Sequence, residues 1–111
     1  MNKRDEAILN KIVQEIMYLE TLLNNVTETD FLGNETIIRA ATMTSINVGE
    51  LAKRLSDEFF SLYPESELSI AAKTRDVYAH GYFTLSFATV YKTAKEDYPR
   101  LRNWIENILE Q

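Results

Sequence analysis

Residues 8–23 read ILNKIVQEIMYLETLL, and this stretch decides the fold class. Apolar side chains recur in it at spacings of three and four residues, at Ile8, Ile12, Ile16, Leu19 and Leu23. This spacing places them on one stripe of an α-helix, whereas a half-buried strand would alternate apolar and polar residues. We therefore expect a first helix from about Lys3 to Asn25, with one face in a core.

A second stripe of apolar residues follows a polar connection at residues 26–33, which read VTETDFLG. Asn34 then offers a side-chain oxygen that suits a helix N-cap. The apolar positions after it keep helical spacing, at Ile37, Ala41, Val48, Ala52, Leu55 and Phe59. Gly49 lies inside this stripe, where glycine costs about 1 kcal/mol relative to alanine but permits a neighbouring helix to approach closely. We expect a long second helix with such a contact at Gly49.

The C-terminal half predicts further helices. Pro64 closes the second segment, and Ser66 or Ser69 suits the N-cap of a third helix that ends or bends at Gly81. Two more stripes follow, one at Phe87, Val90, Tyr91 and Ala94 and one, after Pro99, at Leu101, Ile105 and Ile108. No segment sustains the alternation of a strand. We expect one all-α domain over residues 1–111, an up-down bundle of four to five helices.

The composition restricts the class of protein. The 111 residues are 45% apolar, which is enough for one modest core. The chain has no cysteine, which excludes disulfides and fits a reducing compartment, so we expect a cytoplasmic protein. No apolar run reaches the roughly 20 residues of a membrane span, and the charged N-terminus does not resemble a signal peptide. A net charge of −5 argues against a broad basic surface, so any RNA binding must be local.

The acidic residues do not suggest a metal site. Asp57, Glu58, Glu65 and Glu67 lack the histidine or cysteine companions that a transition-metal ion prefers. The glycines are isolated, so no phosphate-binding loop is present either. We expect neither a metal ion nor a cofactor.

Residues 75–82, RDVYAHGY, hold the single histidine of the chain just before a glycine. Asp76 and His80 are four residues apart, so on a helix they share a face and the carboxylate can fix one tautomer of the imidazole. Arg75 and Tyr82 lie on a neighbouring stripe that is cationic and phenolic. The end of the third helix is therefore the candidate site.

Arg75 and His80 are five residues apart, which on a regular helix turns them about 140° away from each other. Either the turn before Gly81 is distorted, or a second copy of the chain contributes its own residue across a two-fold axis. We favour a homodimer with a shared cleft. A histidine there can move protons near neutral pH while a guanidinium binds phosphate oxygens, and these groups suit the scission of RNA.

The spacing of Arg75, His80 and Tyr82 resembles the signature of HEPN domains, and of the HepT-like toxins in particular. The likeness extends to residues 50–56, which read ELAKRLS. It continues through the C-terminal half, where Tyr82-Phe83, Val90-Tyr91 and residues 96–101, EDYPRL, are similar to the family. The resemblance covers nearly the whole chain and implies a HEPN-like helical domain that forms a two-fold dimer.

The resemblance implies a metal-independent endoribonuclease, the toxin of a toxin–antitoxin pair, in which the 2′-hydroxyl of RNA is the nucleophile. His80 would shuttle protons, Arg75 would stabilise the charge around phosphorus, and Asp76 would hold the histidine. The family also pairs with a minimal nucleotidyltransferase antitoxin, which in some members adenylates the tyrosine of the motif, here Tyr82. A bulky anion beside Arg75 would block the cleft and neutralise its charge.

Asp76 stands where the family often has asparagine. Its charge would oppose an incoming phosphate unless Arg75 or protonated His80 offsets it. Two alternative functions stay open. In one, the chain is a non-catalytic subunit that binds a nucleotide or substrate for a nucleotidyltransferase. In the other, it is a helical dimerisation protein whose Arg75 and His80 serve only the interface.

Overall fold

Seven α-helices form the chain in the computed structural model, which describes residues 1–111. They are α1 (Lys3–Leu22), α2 (Glu28–Leu32), α3 (Glu35–Lys53), α4 (Asp57–Leu62), α5 (Leu68–His80), α6 (Phe87–Lys92) and α7 (Tyr98–Leu109). A 3₁₀ turn at Tyr82–Thr84 follows α5, and a π-helical turn at Thr93–Asp97 joins α6 to α7. No strand is present, so the predicted all-α fold is confirmed.

The core lies between the long helices, with α1 packed against α3 and α7, and α3 packed against α5. The predicted stripe of α1 is buried, and Ile12, Ile16 and Leu19 have no exposed surface. Burial of each such side chain stabilises the fold by roughly 1.5–3 kcal/mol. Because α6, the π turn and α7 run on as one rod, the bundle consists of four long rods with α2 and α4 as short additions. None of the helices has the length and apolarity needed to cross a membrane.

The expected continuation of the second helix to Phe59 is wrong, because α3 ends at Lys53 and α4 begins at Asp57. The cause is Asp5, a buried carboxylate on α1. It accepts hydrogen bonds from the Ser56 backbone N–H at 3.0 Å and from the Ser56 hydroxyl at 2.5 Å. In a continuous helix that N–H would bond to the carbonyl four residues earlier. Asp5 therefore ends α3 and leaves Ser56 to cap α4.

The connection at residues 26–33 contains the short helix α2, which its polar sequence did not indicate. The Thr27 hydroxyl accepts from the Asp30 N–H at 3.1 Å, and the Asp30 carboxylate accepts from the Thr27 N–H at 3.4 Å. Phe31 is fully buried, with its ring centre 5.2 Å from that of Tyr91. This capping box and one buried phenylalanine hold a helix of only five residues.

Pro99 lies near the start of the last helix, as its position in the sequence predicted. It lies in the first turn of α7, which continues from the π turn without a break in helical backbone. Proline has no N–H to donate, and its ring crowds the carbonyl four residues earlier, here that of Lys95. The wider π turn directly before Pro99 accommodates this interruption within one rod.

The helices α3 and α5 meet at Gly49. A Cβ atom added to Gly49 would lie 2.2 Å from the Arg75 Cβ and 2.6 Å from the Ala71 carbonyl oxygen. Both distances are well inside van der Waals contact, so no larger residue fits unless α5 moves. The close helix contact predicted at Gly49 is confirmed, and the residue packed there is Arg75, the first residue of the motif.

We predict that Gly49→Ala lowers the free energy of unfolding by about 1–3 kcal/mol, because the added methyl group overpacks the α3–α5 contact. This loss exceeds the gain of about 1 kcal/mol that alanine brings to a helix interior. Urea denaturation measures it. Gly33→Ala is the matched control, since its Cβ would lie 3.6 Å from the nearest heavy atom, the Thr29 carbonyl oxygen. A Gly49→Ala protein at least as stable as the wild type would contradict the prediction.

Candidate active site

The motif lies on α5, which keeps regular helical hydrogen bonding up to its end. The Gly81 N–H still donates to the Val77 carbonyl oxygen at 2.9 Å, so the turn before Gly81 is not distorted. Arg75 and His80 therefore remain on different faces, about 140° apart around the helix axis. Of the two arrangements that would bring them to one phosphate, the bent helix end is excluded. One chain does not assemble the pair.

Arg75 is anchored between two carboxylates. Its Nη1 donates to Asp76 Oδ1 at 3.1 Å, and its Nε lies 3.0 Å from Glu50 Oε2. The Nε–H is buried but lacks the geometry of a hydrogen bond, so its pairing with Glu50 is electrostatic. The side chain is only 26% exposed because its stem packs over Gly49. The guanidinium is held in place and largely neutralised.

Asp76 does not orient His80, contrary to expectation. Its Oδ1 accepts from Lys53 Nζ at 3.1 Å and from Arg75, and the structure contains no hydrogen bond between Asp76 and His80. Two cations attract the carboxylate more strongly than a neutral imidazole does. The hydrogen bond from Lys53, followed by that from Arg75, holds the pKa of Asp76 below its usual value. We call Glu50, Lys53, Arg75 and Asp76 the α3–α5 charge cluster.

His80 is the last residue of α5 and stands in solvent. Its side chain makes no hydrogen bond to any other residue of the chain. In contrast to Arg75, His80 is free to reach a substrate or a second chain.

Tyr82 lies in the 3₁₀ turn after α5, within a group of aromatic rings. Its ring centre is 5.4 Å from that of Phe83 and 5.7 Å from that of Phe87. The guanidinium carbon of Arg39, on α3, lies 5.5 Å from the centre of the Tyr82 ring. Tyr78 is buried on the inner face of α5, and burial raises its pKa.

Three charged residues near the motif were missed in the sequence. Arg39 lies far from the motif in the chain, and no local pattern connects it to Tyr82. Glu50 and Lys53 were noticed only as part of a family-like segment. The position of Gly49 in the sequence could have identified Glu50 and Lys53. A close helix contact at that glycine also places the next residue and the residue one turn further on beside the partner helix.

The site thus combines an anchored guanidinium, an accessible imidazole and a phenol at one end of an all-α bundle. No group of three or more His, Asp or Glu side chains lies close enough together to hold a metal ion. The pattern is an arginine, four intervening residues, a histidine, one intervening residue and a tyrosine, placed at a helix end. It defines a domain of the HEPN class.

The comparison with protein families agrees with this class. The model of the ribonuclease HepT-like family matches residues 12–108. The chain belongs to this family.

Similar proteins occur in Thermococcus cleftensis and Methanocaldococcus jannaschii. The "Probable ribonuclease HepT" of Thermococcus cleftensis is 28% identical over 108 residues, with 97% of this chain and 98% of that protein covered. "Putative RNase MJ1216" of Methanocaldococcus jannaschii is 29% identical over 114 residues, with 99% and 92% covered. "Gamma-glutamylcyclotransferase and putative RNase MJ0434" of the same organism is 28% identical, and all of this chain matches 50% of that protein. No solved structure is significantly similar to the chain.

We predict that Lys53→Met raises the pKa of Asp76 towards its ordinary value, because the hydrogen bond from Lys53 is the largest cause of its lowering. A ¹³C NMR titration of the side-chain carboxyls measures the change. The lowered pKa means that Asp76 contributes stability above about pH 3.9, its unfolded value, and that this contribution disappears as the pH falls through the folded value.

Lys92→Met is the control, because Lys92 is an exposed lysine of α6 that makes no ion pair with Asp76. It should leave the titration of Asp76 unchanged. An Asp76 carboxyl that titrates at the same pH in the wild type and in Lys53→Met would refute the assignment of Lys53 as its main partner.

Proposed function

We propose that the chain is an endoribonuclease toxin that works as a homodimer, with Arg75 of one protomer and His80 of the other facing the same phosphate. One observation carries the proposal. A single regular helix of a HepT-like domain holds both an anchored guanidinium, that of Arg75, and an accessible imidazole, that of His80. Family membership and the printed names of the relatives support RNA as the substrate. The regular helix end supports a site completed by a second chain.

In the proposed reaction the 2′-hydroxyl oxygen of RNA attacks the adjacent phosphorus, and the bond from phosphorus to the 5′-oxygen breaks. His80 takes the proton of the 2′-hydroxyl and returns a proton to the departing 5′-oxygen. Arg75 binds the non-bridging oxygens, where negative charge grows in the transition state.

The role proposed for Asp76 changes with its contacts. We keep Asp76 in the site as a residue that positions Arg75 together with Glu50. We no longer propose it as the partner of His80. Lys53 offsets its charge, which answers the objection that a carboxylate at this place would repel the substrate. The α3–α5 charge cluster holds two positive and two negative groups, so its net charge is near zero before RNA binds.

The proposed partner is a nucleotidyltransferase antitoxin, which adenylates Tyr82 and so inhibits the toxin. Tyr82 lies two residues beyond His80, so an adenylate there would place a bulky anion at the mouth of the cleft. The proposed location is the cytoplasm, where the RNA substrate occurs.

We predict that His80→Ala lowers the rate of RNA cleavage by about 100-fold or more, because the proton transfer to and from the sugar oxygens is lost. The assay uses single-stranded RNA in a buffer with EDTA and is run beside a growth test during expression. Asn107→Ala, an exposed change on α7, is the control. If the wild type and His80→Ala cleave equally, the ribonuclease proposal fails.

We predict that co-expression with the nucleotidyltransferase adds adenylate to Tyr82 and abolishes cleavage, which mass spectrometry of the purified chain detects. Tyr82→Phe should remain toxic in the presence of the partner because it has no hydroxyl to modify. Tyr18→Phe, on the exposed side of α1, should be neutralised like the wild type. A neutralised complex in which Tyr82 carries no modification would contradict this regulation.

A further inference from the structure

Phe83 is the most exposed of the large hydrophobic residues, with 94% of its surface open to solvent. It directly follows Tyr82 in the 3₁₀ turn after α5. One exposed apolar residue needs no explanation by itself. Phe83, however, lines a cleft that also contains two other aromatic side chains and an arginine.

The cleft lies between the end of α2, the start of α3 and the 3₁₀ turn, and it contains three aromatic rings. Phe83 and Phe87 line it together with Tyr82, whose ring contacts both of them. The planes of the Phe83 and Tyr82 rings stand at 82° to each other, and the Phe83 ring, 94% exposed, is open to a ligand. We call this cleft, with Arg39 on its wall, the Phe83 cleft.

Arg39 places a cation beside these rings. Its side chain is 61% exposed, and its Nε and Nη2 donate to Glu35 Oε1 at 3.1 and 2.7 Å. A guanidinium carries five N–H donors, so those not aimed at Glu35 stay available. The guanidinium is charged at any pH at which RNA is bound, and the hydrogen bonds to Glu35 raise the pKa of Arg39 further.

We propose that the Phe83 cleft binds one unpaired base of the RNA substrate, stacked on the Phe83 ring, with the neighbouring phosphate on Arg39. The proposal rests on the proposed ribonuclease function and names the substrate as single-stranded. A flat aromatic face and a fork of cationic donors side by side match a base and its phosphate.

The charge of the whole chain favours this kind of recognition. A net charge of −5 disfavours binding of RNA through many phosphate contacts, whereas stacking on an aromatic ring needs no charge. A base inside a duplex has both faces covered by its neighbours, so it cannot stack on Phe83. Because Phe83 is three residues from His80, the stacked base belongs to a nucleotide close to the cleaved bond.

Binding of a short, fluorescein-labelled 2′-O-methyl oligoadenylate, followed by anisotropy, tests the proposal. This strand has no 2′-hydroxyl to react, so binding is measured apart from cleavage. Phe83→Ala should weaken binding about tenfold, the loss expected for one base stack, and Phe83→Trp should restore it. Leu62→Ala is the control, since it removes an exposed apolar side chain on α4 and should bind like the wild type.

The salt dependence of RNA binding distinguishes the phosphate contact at Arg39 from the base stack on Phe83. Arg39→Gln should lower the slope of log Kd against log salt concentration by about 0.7, the value for one phosphate contact on a single strand. Phe83→Ala should leave this slope unchanged, because a stacked ring releases no counterions. A slope that Arg39→Gln does not change would remove the phosphate contact from the proposal.

Three outcomes would overturn the proposal or separate it from the proposed function. Unchanged binding in Phe83→Ala would overturn it. So would a shift from dimer to monomer in that variant during sedimentation, because Phe83 would then serve the contact between two chains. If Phe83→Ala weakens binding but the wild type leaves ordinary RNA intact, the cleft is supported and the ribonuclease function fails.

Discussion

The close contact between α3 and α5 at Gly49 determines the geometry of the candidate site. The glycine lets the stem of Arg75 lie directly on the α3 backbone. Because Glu50 follows Gly49 and Lys53 lies one helical turn further on, the same contact brings an acid and a base to the motif. The α3–α5 charge cluster is thus a consequence of one missing side chain.

This geometry divides the motif into a fixed part and a free part. Arg75 is packed against Gly49 and paired with two carboxylates, whereas His80 stands at the helix end without a partner in its own chain. A regular helix keeps the two on different faces, which is why the proposed site takes one residue from each of two chains. The same division explains why a protein with a net charge of −5 can still be directed at RNA. The positive side chains near the motif are few, and in the free protein they are paired with carboxylates.

The sequence predicted most of the fold, because helices with one buried face carry a periodicity that can be counted. The stripe of α1, the contact at Gly49 and the helix end at Gly81 were all visible in it. What it did not predict depends on contacts between distant residues. Asp5 interrupts the second helix from 51 residues away by taking the Ser56 N–H. The π turn before Pro99 was not visible either, because a five-residue helical repeat has no separate pattern in the sequence.

The candidate site was likewise predicted only in part from the sequence. Arg75, His80 and Tyr82 were found because they lie on one short segment. The partner of Asp76 was predicted wrongly, because local helix spacing favours His80 while the lysine that binds it lies on another helix. Arg39 was missed for the same reason.

The central claim is that Arg75 and His80 act across two chains, and mixing two inactive variants measures it most directly. Arg75→Ala and His80→Ala are unfolded together, refolded together and assayed for RNA cleavage. Random pairing makes half of the dimers mixed, and each mixed dimer holds one complete site, so about a quarter of the wild-type activity should return. If the mixture stays as inactive as each variant alone while both form dimers, the two residues do not act across the two chains.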